Sequence, residues 1–598
     1  MFHDIHFLEQ GSIKVEGTML EKLLFVIKDQ LKDVAMWKKF VEPFKTKEDR
    51  DSFWRGEFYG KEMRGASLAY RVTGDKELYN ILTDAVKDML SAQEEDGRIS
   101  TYPVENEFSG WDMWCRKYVL TGLLHYYDIC QDEAFKEEIL TALKRHLDYI
   151  VDHIGKKEDG KKEITETSSW WGCVNSCTIL EPTLALCRLT HEKRYMDFAK
   201  YIISTGGCHD CNLIELALKN ELHPYQYPVT KAYEMMSFYE GLLAYYEITG
   251  EKKYLECVNN FIENVALSDL TVIGCSGCTH ELFDHSSVMQ TEPHDNIMQE
   301  TCVSVTWMRL SARLFFITGE AKYLDRIEES GFNDLYGSLN TEHQDQHNLF
   351  TKQTIEAMTF DSYSPLYDKE RGQGTGGYME FESGGHSGCC VAIGACGIAL
   401  MPLMAALESK EGLILSLPFK GEIKTKGNKG SFITLKLESD YPSTQTLSME
   451  ALGGKEGEEV LLYFRKPIDA TNLKLDEEAL TEEKEKGFAS ISLKCDEKKH
   501  LLSFERFLRV RYLNHKASFN YGSLTLAADE AKTNIDLTAP ISIPKETVCK
   551  LLTPKEGEYV RLAVTLKGGQ ELLLTDYESC GKRWNDKKNK ITVWFNLA

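Results

Sequence analysis

A ring of paired helices followed by antiparallel β-sheet domains is the fold this sequence predicts: a multidomain α + β chain with an (α/α)6 barrel and then β-sandwich domains. Three observations carry it. A Thr-Gly turn recurs through the first 410 residues, the apolar spacing then changes from helical to alternating, and the 598-residue length exceeds what one ordinary core fills.

The turn occurs as YRVTGDKELY (70–79), YYEITGEKKY (245–254) and FFITGEAKY (315–323), with weaker copies YDICQDEAF (127–135) and CRLTHEKRY (187–195). Each follows an apolar stretch of helical spacing, and Gly250 or Gly319 can supply the left-handed residue that ends a helix. Successive turns lie roughly 60 to 70 residues apart, room for two helices of about 11 to 20 residues with their connections. Five or six such hairpins can stack as a solenoid or close into a toroid. Closure is the expected outcome, because the connections at 155–178, 205–232, 270–300 and 340–390 are long and unequal, as at the open end of a barrel that carries a site.

After residue 410 the runs LILSLPF, GSFITLKLES, EVLLYFRK, FASISLKC, YVRLAVTLK and KITVWFNLA alternate with a period of two and are separated by Gly, Lys, Asp and Asn turns. The expected division is a barrel over 17–410, one sandwich over 411–515 and a second over 516–598. Residues 1–16 are available to add a strand to the β region, by this reading to its second unit.

Seventy basic against 93 acidic side chains leave a formal charge of −23, which repels a phosphate backbone and argues against nucleic acid as a partner. No apolar run approaches the roughly 20 residues of a membrane span, and the N-terminus shows no cationic segment followed by an apolar core. The expected compartment is the cytoplasm, where 17 cysteines would be held mostly as thiols.

Those thiols raise the chemical question. Cys389 and Cys390 are adjacent in GGHSGCCVAIGACG, and Glu300 and Cys302 lie in MQETCVSVTWMRL where a helical pattern begins. Neighbouring side chains of a regular strand point apart, so two adjacent thiols share a metal only in an irregular bend, which Gly384, Gly385 and Gly388 permit. Three thiolates and a carboxylate suit tetrahedral zinc; the same cysteines would equally serve as small packed residues in a helix-rich core. Cys208-x-x-Cys211 and Cys275-x-x-Cys278 have the gap of a zinc knuckle, but they stand too far apart in sequence for a compact ribbon. Aromatic groups at Trp54, Trp111, Trp114, Trp170 and Trp171 fall between repeats, where they either stack on a sugar or pack the core.

The helical hairpins, HELF at 280–283, ETC at 300–302, the cysteine pair at 389–390 and the β-rich last third together resemble glycoside hydrolase family 127, the β-L-arabinofuranosidases, over nearly the whole chain. The resemblance implies an (α/α)6 barrel with β-sandwich domains and a zinc ion held by Glu300, Cys302, Cys389 and Cys390. It makes Cys389 the nucleophile and Glu281 the acid/base, with Asp284 and Glu292 as alternatives to Glu281. Tyr363 matches a family tyrosine near the bound sugar. Two departures concern the substrate. Val-Ala-Ile follows the cysteine pair where the family's arabinofuranosidases carry Pro-Pro-Asn, and Tyr118 and Lys231 stand near positions where the family has histidines.

The expected activity is that of a zinc-dependent retaining exo-glycosidase releasing a β-L-arabinofuranosyl or related sugar from oligosaccharides through a cysteine thioglycosyl intermediate, with a homodimer as the candidate assembly. Trp170, Trp171, Tyr363, Tyr118 and Lys231 are its candidate sugar contacts. The competing readings are a barrel lyase or unsaturated-uronide hydrolase without zinc, and a non-catalytic glycan-binding protein in which zinc is structural.

Overall fold

The computed structural model describes residues 2–277, 279, 281–292, 299–483, 487–533 and 535–598. Six helices form a closed inner ring: α1 (Glu57–Thr73), α2 (Asp112–Ile129), α3 (Leu180–Thr190), α4 (Ala232–Thr249), α5 (Thr301–Thr318) and α6 (Cys389–Ala405). Each packs against the next, and α6 returns against α1. Outer helices Lys76–Leu90, Glu133–His153, Lys193–Ser204, Lys252–Ser268 and Ala321–Ser330 follow the first five in turn, and Thr18–Val26 packs on α6. This is the expected α/α barrel. Covering on both sides explains why an inner helix can be apolar all round: every residue of α6, CCVAIGACGIALMPLMA, is buried.

The repeated turn works as its composition implies. Gly74, Gly250 and Gly319 adopt φ of 65°, 71° and 70°, and their N–H groups return to the carbonyls of Tyr70, Tyr246 and Phe315. In the weaker copies the chemistry differs. His191 takes the left-handed place, with φ of 56°, while α2 ends on extended Cys130 and the next helix is started by the Asp132 side chain, which accepts from the Ala134 and Phe135 N–H groups.

Helix α6 runs directly into strand Ala406–Ser409, and the rest of the chain is β-rich. Residues 406–505 supply most of a six-stranded and a seven-stranded sheet, and a further eight strands between 508 and 596 form a third. In Phe432–Glu438, Ile433, Leu435 and Leu437 are buried between outward-facing neighbours, the mark of a sheet with one buried face. The N-terminal segment corrects one expectation. His6–Phe7 pairs with Ala406–Ser409 and Ile13–Glu16 with Lys420–Lys426, so it joins the first two sheets rather than the last.

The segment that follows strand Glu571–Asp576 of the third sheet braces the long connection between α5 and α6. Arg371 donates from Nε to the Cys580 carbonyl and from Nη2 to the Tyr577 carbonyl, both at 2.9 Å, and Trp584 Nε1 donates to the Asp345 carbonyl at 2.7 Å. That connection carries Tyr363, Gly376 and Gly377 and ends in the short strand His386–Gly388, immediately before Cys389.

Candidate active site

The four candidate metal donors meet at the starts of two adjacent inner helices. Glu300 is the residue before α5 and Cys302 its second; Cys389 and Cys390 are the first two residues of α6. The connecting segment holds both ends in place. The Thr301 N–H donates to the Ser362 carbonyl at 3.0 Å, and the Cys389 N–H donates to Gly377 at 3.2 Å. The result is a buried group whose donor atoms all lie within 4.8 Å of one another and could hold a metal ion. Cys389 and Cys390 sulfurs are 3.9 Å apart, and each is 3.7 Å from Glu300 Oε1. Cys302 Sγ lies 3.9 Å from the Lys61 ammonium.

Charge explains why a cation suits this place. Hydrogen bonds from the Cys302 and Cys390 thiols hold Cys389 well below the usual thiol range, whereas burial drives Cys302, Cys390 and Glu300 well above theirs. Four donors cannot ionise together in so small a buried space unless a positive charge lies among them.

Cys389 and Glu300 open onto a cavity of about 350 Å³ walled by Trp54, Trp111, Trp114, Trp170 and Trp171. Glu281 lines the same cavity. Its Oε1 accepts from the Tyr363 hydroxyl at 2.7 Å and its Oε2 from the Lys231 ammonium. The segment around it is stitched to the start of α4: Ala232 N–H donates to the Glu281 carbonyl at 3.1 Å and Phe283 N–H to Thr230 at 2.8 Å. Glu281 itself sits in the left-handed region with φ of 66°, a conformation that a non-glycine residue holds only where its surroundings impose it. The alternatives are placed otherwise. Asp284 accepts from the Thr279 N–H and the Ser286 hydroxyl within its own loop, and Glu292 is exposed; neither lines the cavity.

A family model described as Beta-L-arabinofuranosidase, GH127 catalytic domain, matches residues 10–360, more than half of the chain. The chain belongs to glycoside hydrolase family 127. The match ends before Cys389 and Cys390, so their convergence with Glu300 and Cys302 is a separate observation. A solved GH127 β-arabinofuranosidase superposes with a TM-score of 0.76 at 18% identity, covering 100% of this chain and 98% of that one. A GH127 β-L-arabinofuranosidase from Geobacillus stearothermophilus T6 gives 0.73 at 15% identity, over 98% and 100%. No curated protein sequence matches. Identities this low carry the fold, which is shared from end to end.

In this family 127 chain, four of the five expected sugar contacts line the cavity: Trp170, Trp171, Lys231 and Tyr363. Tyr118 does not. It is fully buried behind the wall, bonded through its hydroxyl to Tyr233, and Tyr233 faces the cavity in its place. Sequence reasoning also missed Glu57, Lys61 and Glu234. Glu57 accepts from Lys61 at 2.8 Å and from the indole N–H of Trp114, and Lys61 lies 4.5 Å above the Tyr233 ring. A Glu and a Lys four apart at the head of a helix was the available signal, and such pairs are usually solvated. Of the CxxC pairs, Cys208 and Cys211 hydrogen-bond each other, Cys275 is buried with its sulfur 3.6 Å from the Glu300 carbonyl, and Cys278 lies outside the described residues, as does His280 of HELF. Among the described residues, only the Glu300 group can hold a metal by donor geometry. Among the described residues, no helix is long and apolar enough to cross a membrane.

Proposed function

We propose that this glycoside hydrolase is a zinc-dependent retaining exo-glycosidase that cleaves a β-L-arabinofuranosyl or related sugar from oligosaccharides, with Cys389 as nucleophile and Glu281 as acid/base. The observation that carries this reading is that a sulfur from the candidate metal group and a positioned carboxyl face one aromatic-walled cavity. The donor set fits zinc. With metal–sulfur bonds of about 2.3 Å in a tetrahedron, sulfurs stand about 3.8 Å apart and a carboxylate oxygen about 3.5 Å from sulfur; the distances here are 3.9 and 3.7 Å. When bound, the metal supplies the positive charge that lets Cys389 stay a thiolate at neutral pH.

The chain's own groups then perform two displacements. Cys389 Sγ attacks the anomeric carbon while Glu281 gives its proton to the departing oxygen, breaking the C–O bond and leaving the sugar on sulfur. Glu281, now a carboxylate, takes a proton from water as that water attacks the same carbon, and the C–S bond breaks to return the thiolate. Two inversions give net retention. Lys231 and Tyr363 both donate to Glu281, fixing the direction of its carboxyl.

The test is a metal count and a product configuration. The purified protein is expected to hold about one zinc per chain, and NMR of the first-released sugar is expected to show the substrate's anomeric configuration. Inversion, or full activity in protein stripped of metal, rules this mechanism out.

A smaller prediction concerns Gly377, whose φ is 56° and where an added Cβ would lie 2.1 Å from Cys389 Sγ. Gly377→Ala is expected to cost about 1 to 3 kcal/mol through backbone strain and displacement of the sulfur, and to lower zinc retention. Thermal unfolding and metal-to-protein ratio report the two effects; wild-type values for both would refute the close packing.

A further inference from the structure

We propose that Glu234 selects the glycone: its carboxylate accepts hydroxyl hydrogen bonds from a neutral sugar, and it makes the cavity reject sugars that carry a carboxylate of their own. This rests on the exo-glycosidase reading above and deepens it to a substrate class.

Glu234 is in the first turn of α4, three residues after Lys231, so both point from one side of the helix into the cavity. It is 2% exposed. Burial pushes its carboxyl above the usual range and the nearby Lys231 ammonium opposes that shift; the carboxyl meets its own backbone N–H, and Oε2 has no hydrogen-bond partner among the described residues. A buried carboxylate oxygen without a donor is unfavourable, and a ligand hydroxyl placed against it relieves that penalty. Of the other carboxyl groups of the cavity, Glu57 is engaged by Lys61 and Trp114 and Glu281 by Lys231 and Tyr363, while Glu300, whose Oε2 is likewise without a hydrogen-bond partner among the described residues, belongs to the candidate metal group. Glu234 is left to read the substrate.

The charge balance sets what it reads. Four carboxylates, Glu57, Glu234, Glu281 and Glu300, line the cavity against two ammonium groups, Lys61 and Lys231. Lys61 is paired with Glu57 at 2.8 Å, and Lys231 bonds Glu281 and also lies in the field of Glu234 and Glu300, so it stays matched by carboxylates when Glu281 carries its proton, and neither lysine is free to receive a substrate carboxylate. A bound dication does not reverse the sign, because its two charges face four anionic ligands. A uronide would enter a negative, desolvated site with no cation for it, whereas a neutral pentose or hexose brings hydroxyl donors that suit Glu234 and ring faces that suit the tryptophans.

The experiment uses the full-length, metal-loaded protein with p-nitrophenyl glycosides of neutral pentoses and hexoses and of glucuronic and galacturonic acid, backed by calorimetric titration of the corresponding free sugars. Wild type is expected to prefer its best neutral glycoside over any uronide by at least about 100-fold in kcat/KM. Glu234→Gln, which keeps the shape and removes the charge, is expected to lower kcat/KM for that neutral glycoside by about 30-fold or more. It is also expected to narrow the preference over uronides by about tenfold, with zinc content and melting temperature unchanged; Glu234→Asp, retaining the charge, should keep the rejection of uronides even where turnover falls. Wild type that accepts a uronide as well as a neutral sugar, or that neither binds nor hydrolyses any neutral sugar, overturns the proposal. So does wild-type kcat/KM in Glu234→Gln. Its failure is separable from that of the mechanism: full activity in Cys389→Ser with the Glu234→Gln effects intact sinks only the nucleophile, and the reverse pattern sinks only the selection.

Discussion

Cys389→Ser is expected to lower kcat by at least about 10⁴-fold, the largest single effect in this protein, because in the proposed mechanism one side chain serves two purposes. As nucleophile it must be ionised at neutral pH, and a serine hydroxyl is not. As a metal donor it completes a set whose members otherwise stay protonated by burial. The two roles are separable by comparison with its neighbours. Cys302→Ser and Cys390→Ser remove a donor but not the sulfur that lines the cavity, since neither Cys302 nor Cys390 is part of the cavity wall. Those two variants are therefore expected to lose zinc first and to recover part of their activity in excess zinc, while Cys389→Ser stays inactive whatever its metal content. Acid-quenched mass spectrometry of the wild type during turnover should find one glycosyl unit on the peptide containing Cys389. Recovery of Cys389→Ser by added zinc to more than about a tenth of wild-type activity would show that the sulfur is a ligand and not the nucleophile.

What the sequence discloses about this protein follows the range of the interactions involved. The Thr-Gly turns are local, needing one glycine in a left-handed conformation and a capping residue nearby, and they reveal the hairpins and hence the barrel. The ETC and CC motifs are equally compact, because each sits at the first turn of a helix, and only the ring closure that brings α5 beside α6 is needed to unite them. Features that depend on distant partners are hidden. Ile13–Glu16 pairs with Lys420–Lys426 across some four hundred residues of chain, and its alternation alone does not say which sheet receives it. Tyr118 and Tyr233 are both inward-facing tyrosines on inner helices; Tyr233 is in the first turn of its helix and lines the cavity, whereas Tyr118 is in the second turn of its own and lies behind it, a difference set by how the helices stagger in the ring. Glu57, Lys61 and Glu234 have the spacing of ordinary solvated helix residues, and they become site residues only because a closed ring leaves them no water.

Removing the carboxyl proton of Glu281 tests the other half of the mechanism. Glu281→Gln is expected to lower kcat by about 10² to 10⁴-fold on glycosides with poor leaving groups, the range a positioned general acid supplies. The size of the effect should depend on the leaving group. A dinitrophenolate departs without a proton, so formation of the sugar–sulfur bond should proceed at near wild-type rate, and the loss then falls on the second step, where no carboxylate is left to activate water. The variant should therefore show a burst of one dinitrophenolate per chain followed by slow turnover. Azide, which needs no base, should restore turnover and give a glycosyl azide of the substrate's own configuration. The proposed mechanism also requires that zinc be retained, because Glu281 is not among the four candidate donors, and that Lys231 lose its partner. Equal losses on all leaving groups with no rescue by azide would mean that Glu281 holds Lys231 and Tyr363 in place rather than moving a proton.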